Sequence, residues 1–136
     1  MKYMNSKVIA VSAALFVAAT GIQVLNAQEP LRPKITPGMK QDLDIPGREG
    51  VMSMVEFAPG AAEVNHSHPA ELFVFVREGE ISLESEGKPT TSYKAGDAFY
   101  VGSGKAHRVI NNGTATARTV AFFVAEKGKP LTTPMK

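Results

Sequence analysis

The stretch GAAEVNHSHPAELFVFVREG, residues 60–79, decides how this chain is read. His66 and His68 are separated by one residue, and on a strand that spacing turns both imidazoles to one face. Leu72–Val76 follows, apolar at every position, which asks for a strand covered on both faces. Glycines bracket the segment where turns are needed.

Outward from this stretch the same grammar repeats. Val51–Phe57 precedes Pro59-Gly60, Ile81–Glu84 precedes Gly87-Lys88-Pro89, and Thr90–Tyr93 precedes Ala95-Gly96-Asp97. Ala98–Val101, His107–Ile110 and Ala117–Ala125 continue it, and no segment carries helical periodicity. Seven or more short strands over about 100 residues predict an all-β, antiparallel sandwich or barrel. Val120–Val124, like Leu72–Val76, is apolar throughout, so each needs cover outside the barrel as well as inside.

The ends read differently. Lys2 and Lys7 followed by the uncharged run Val8–Gly21 predict an export signal, residues 1–27, cut after Ala27. The chain is then expected to be periplasmic or secreted, with no stable membrane insertion. Residues 28–47 hold Pro30, Pro33, Pro37 and Pro46, which predict an extended arm with an edge strand near Lys40–Ile45. The barrel is assigned to residues 48–126 and a solvated tail to residues 127–136.

Composition narrows the function. Residues 1–27 carry two of the 15 basic side chains and none of the 13 acidic ones, so the rest of the chain has 13 of each. Without a basic surplus or a basic run interleaved with aromatics, nucleic acid is not an expected partner. The absence of cysteine excludes disulfides and thiolate ligands.

All chemistry then falls on three histidines, His66, His68 and His107. Neutral imidazoles on neighbouring strands can share one ion at about 2.0–2.1 Å. Surface histidines beside a turn would give the same His-x-His pair, so spacing alone leaves both readings open.

The spacing also resembles the two motifs of the cupin superfamily. Its first runs Gly, five residues, His-x-His, three or four residues, Glu, six residues, Gly; Gly60, His66, His68 and Gly79 match. Its second runs Gly, five residues, Pro-x-Gly, two residues, His, three residues, Asn; Gly96, Gly104, His107 and Asn111 match, with Gly102 in place of Pro. The resemblance covers roughly Val51 to Val124. It implies a double-stranded β-helix, or jelly-roll barrel, holding one divalent ion (Fe, Zn, Cu, Ni or Mn) on His66, His68 and His107.

Where the family has Glu, this chain has Leu72. Glu71 stands one residue early and faces away on a regular strand; a bulge near Pro69-Ala70 would turn it inward as a fourth ligand. Three neutral histidines leave the ion's charge uncompensated, which favours an anionic small-molecule ligand.

Alternation places Ala70, Leu72, Val74 and Val76 inside a small apolar pocket and Phe73 and Phe75 outside. Met52 and Met54 are assigned to the core, and Phe99, Tyr100 and Phe122 to the mouth. Arg108 is expected to face away from the site, and Asn111 to bond its own turn. The exposed Phe pair predicts a homodimer.

The resemblance implies a metal-dependent oxidoreductase, dioxygenase-like, or an isomerase, acting on a small anionic or aromatic molecule. The alternatives are a non-catalytic binder of a metabolite or metal in the cell envelope, and a barrel serving only assembly.

Overall fold

The computed structural model describes residues 28–136; the expected export signal lies outside them. Ten strands form: β1 (Lys34–Asp42), β2 (Arg48–Phe57), β3 (His66–Ser67), β4 (Ala70–Glu78), β5 (Glu80–Ser85), β6 (Thr91–Lys94), β7 (Ala98–Val101), β8 (His107–Ile110), β9 (Ala117–Glu126) and β10 (Thr133–Pro134). Among the described residues there is no helix.

The strands build two five-stranded sheets, β1-β2-β9-β4-β7 and β10-β3-β8-β5-β6, with every pairing antiparallel. The all-β jelly-roll expectation holds. Alternation sorts the two faces: in β4, Leu72, Val74 and Val76 are buried while Phe73 and Phe75 stay exposed. β9 buries Ala117, Thr119, Ala121, Phe123 and Ala125 between the sheets. With Val55, Phe57, Ile81, Leu83, Val101 and Val109 the apolar ones among these buried residues make one core.

The chain changes sheet between β4 and β5 through the single residue Gly79. Its φ is +73°, and a Cβ there would lie 2.8 Å from both the Ala117 Cα and the Thr116 carbonyl oxygen. Any other residue would be strained and would push β9 away.

Four expectations need correction. The arm's strand is longer and earlier than Lys40–Ile45: β1 spans Lys34–Asp42, its register shifting between Pro37 and Met39 because Pro37 has no N–H for the ladder. Met54 is exposed rather than core, and Met52 is only half-buried, because inward positions on β2 fall to Val55 and Phe57. Phe99 is buried in the core against Tyr93 instead of at a mouth, whereas Tyr100 and Phe122 line the outer groove beside Phe73 and Phe75. The tail is exposed but not free, since Thr133 and Pro134 pair with Ser67 and His66.

Candidate metal centre

Residues 60–63 run against the end of β8, which carries the third histidine. The Gly60 N–H donates to the Asn111 carbonyl at 2.9 Å, the Asn111 N–H to the Ala61 carbonyl at 2.9 Å, and the Glu63 N–H to the Val109 carbonyl at 3.0 Å. This pairing carries the chain into β3, where His66 lies directly opposite His107. Asn111, wholly buried, holds the junction. Its Oδ1 accepts from Gly113 N–H at 2.9 Å, the expected turn bond, and its Nδ2 also donates to the Phe57 and Ala115 carbonyls at 2.9 and 2.8 Å.

The three histidines are buried, and their ligand atoms lie within 4.8 Å of one another. Each Nδ1 bonds a backbone carbonyl: His66 to Val64 at 2.7 Å, His68 to Leu131 at 2.8 Å and His107 to Lys105 at 3.0 Å. A carbonyl only accepts, so each Nδ1 carries a proton, and in the neutral ring the Nε2 lone pair is free. The Nε2 atoms of His66 and His68 sit 3.1 Å apart. Two lone pairs at that distance need either an extra proton or a cation between them, and nitrogens bound to one ion at about 2.0–2.1 Å are spaced roughly so. Burial pushes His68 down to about 4, against the upward pull of the Leu131 carbonyl, and lowers His107 as well. Those two rings are therefore neutral near pH 7, with Nε2 lone pairs a metal ion could use. The donor set fits a divalent ion.

Glu71 is not part of this set. The register of β4 is regular from Ala70 to Val76, without the bulge that would turn Glu71 inward. Its carboxylate accepts instead from the Tyr100 hydroxyl and, at 3.3 Å, from the Ser103 N–H. Leu72, only 4% exposed, occupies the inward position. Arg108 faces away as expected and pairs with Glu84 at 2.6 Å.

The triad borders a cavity of about 290 Å³ whose walls include Val55, Phe57, Leu72, Val74, Val109, Ala121 and Phe123. Several contributors were not anticipated, among them two charged residues and the tail. Glu63 lines the cavity and accepts from the Val109 N–H at 2.9 Å; burial raises its pKa, opposed by His66 and by that N–H. Arg32, from the arm, lines it too and donates to the Ala62 carbonyl at 3.2 Å. Leu131 and Thr132 close it from the tail. None sits in a run with strand periodicity, so only the folded backbone brings them here.

The sequence profile described as Cupin domain matches residues 53–123, more than half of the chain and inclusive of all three histidines. The chain is a cupin. An uncharacterized conserved protein with a double-stranded beta-helix domain from Klebsiella pneumoniae superposes on it with TM-score 0.65 at 19% identity, covering 77% of this cupin and 85% of the other chain. A Cupin 2 conserved barrel domain protein from Salinispora arenicola gives TM-score 0.56 at 24% identity, covering 68% and 75%. An oxalate oxidase solved with glycolate gives TM-score 0.60 at 25% identity; the match covers 76% of this cupin and 56% of the oxidase. No curated protein sequence matches the cupin.

Proposed function

We propose that this cupin is an exported, metal-dependent enzyme that acts on a small, partly apolar carboxylate or related oxyanion. The observation that carries the reading is the convergence of three carbonyl-oriented histidines on the wall of a small apolar cavity that also contains a carboxyl group. When bound, a divalent ion supplies a Lewis acid with open positions and an uncompensated charge that attracts an oxyanion.

The chain's own groups do the rest. His66, His68 and His107 would hold the ion, and the apolar walls exclude water from the bound molecule. Glu63, anchored on the Val109 N–H, is placed to take or return a proton in the cavity, a task left vacant by Leu72. Arg32 adds a positive charge to the lining, in keeping with an anion. The likeness to an oxalate oxidase solved with glycolate supports a small carboxylate.

Leu72 favours a second reading, a non-catalytic binder, because it removes a charged ligand. The test begins with elemental analysis of protein purified from the envelope fraction. A screen of small carboxylates and phenolates with the identified metal follows. Turnover that disappears in Glu63→Gln while metal content is unchanged supports the enzyme; saturable binding without turnover supports the binder. Full metal content in His66→Ala, His68→Ala and His107→Ala would remove the site altogether. An N-terminus at Gln28 in the exported protein would establish cleavage, and intact Met1 would refute it.

We also propose that the cupin is a homodimer. The arm extends its sheet beyond β2 and leaves Phe73 and Phe75 at 48% and 47% exposure, next to Tyr100 and Phe122. β1 is exposed along its whole length, including Ile35 and Met39. A second copy would cover these apolar surfaces.

A further inference from the structure

The three histidines are not oriented in the same way. His66 and His107 each rest on a carbonyl two residues back in their own segment, at Val64 and Lys105. Both carbonyls lie outside the C-terminal segment, although that segment pairs with the His66 strand through Pro134. His68 is held from 63 residues away, by the Leu131 carbonyl at 2.8 Å, with the Thr132 hydroxyl 3.4 Å from the same Nδ1.

The segment that supplies this carbonyl is short and lightly attached. It pairs through Thr133 with Ser67 and Pro134 with His66, the Met135 N–H donates to the Asn65 carbonyl at 2.9 Å, and the Ser67 hydroxyl lies 3.7 Å from the Met135 sulfur. The Leu131 side chain packs against the core, while residues 132–136 are exposed. So few contacts give a low local opening free energy compared with that of the barrel. Opening would remove the hydrogen-bond acceptor that sets the His68 tautomer, and would take Leu131 and Thr132 out of the cavity wall.

Resting on the metal reading above, we propose that the C-terminal segment is a strap that controls the metal centre: docked, Leu131 is a positioning residue for His68; undocked, the site is left with two well-aimed ligands and an opened cavity. Losing a ligand's hydrogen-bond partner costs about 10–100-fold in metal affinity. Because coupling is reciprocal, bound metal must in turn hold the strap down.

The test uses zinc titrations against a competing chelator on four proteins: the full chain, a chain ending at Pro130, His68→Ala, and the two changes combined. Truncation should weaken zinc binding by about 10–100-fold in the first background and less than about twofold once His68 is Ala, since the strap acts through that ring. Leu131→Ser, which keeps the carbonyl but loosens its anchor, should weaken zinc binding and speed hydrogen exchange at the Met135 amide; zinc should slow that exchange in the full chain. Equal losses in both backgrounds would show general destabilisation and overturn the proposal, as would unchanged affinity after truncation. A truncated chain that fails to fold leaves Leu131→Ser to decide, and unchanged affinity there would be a refutation. If the full chain binds no zinc, it is the metal reading that fails.

Discussion

Replacing Leu72 by Glu should make the stability of this cupin depend on metal. Position 72 is inward on a regular β4, opposite Phe123 and Val101, and its side chain lines the histidine cavity. Without metal the change removes a 4% exposed Leu, worth about 1.5–3 kcal/mol of burial. It also places a carboxyl among apolar walls, which costs several kcal/mol if ionised and less if it protonates. A total of about 4–6 kcal/mol lowers Tm by roughly 20–30 °C in a domain of this size. With metal, the carboxylate faces a divalent charge that three neutral histidines leave uncompensated, so most of the loss should be recovered.

The assay is thermal unfolding with chelator and with saturating zinc. The wild type should lose only the binding contribution on chelation, about 2.7 kcal/mol when metal had been present at 100 times Kd, and should stay folded. Leu72→Glu should show a metal-dependent shift at least twice as large, and Leu72→Gln, lacking the charge, a smaller one. A Leu72→Glu protein whose Tm responds to zinc no more than the wild type does would show that position 72 does not face the ion.

Other consequences are separable by assay. Asn111→Ala strands the Phe57 and Ala115 carbonyls and the Gly113 N–H, and should cost about 2–4 kcal/mol in urea unfolding with metal content unchanged; a neutral result would show that water replaces the side chain. In the metal-free protein, His68 has its pKa depressed from 6.5 to about 4, so its contribution to stability is present above pH 6.5 and lost as pH falls towards 4. His107 acts in the same direction, and Glu63, with a raised pKa, in the opposite one. Stability lost between pH 7 and pH 5 should therefore be smaller in His68→Gln by about 2 kcal/mol; parallel pH profiles would refute the assignment. Changing Phe73 and Phe75 together to Ser should weaken self-association by about tenfold or more in sedimentation while sparing metal content. A wild type that is monomeric at micromolar concentration would refute the dimer.

Much of the molecule was legible because its determinants are local. Strands with period-two or wholly apolar runs, broken by glycine turns, reveal themselves within a few residues, as β4 and β9 do. The His-x-His spacing places His66 and His68 on one side without knowledge of any partner strand. Strand regularity likewise implied that Glu71 faces outward, where the structure has it bonded to Tyr100 and Ser103.

What the sequence could not determine depends on contacts between distant segments. Met54 reads as core by composition, but which face of β2 is inward depends on its register with β9, where Val55 opposes Thr119. Glu63 sits in a loop with no periodicity, and becomes part of the cavity only because residues 60–63 hydrogen-bond to the end of β8. The tail reads as solvated because it is polar and short, and it is indeed largely exposed. Its role comes from one carbonyl, a group every residue possesses, so no side-chain pattern could mark Leu131 as the partner of His68. Side-chain chemistry along the chain determined the three candidate ligand positions; only the tertiary structure, by bringing backbone from 63 residues away, decided how one of those rings is aimed.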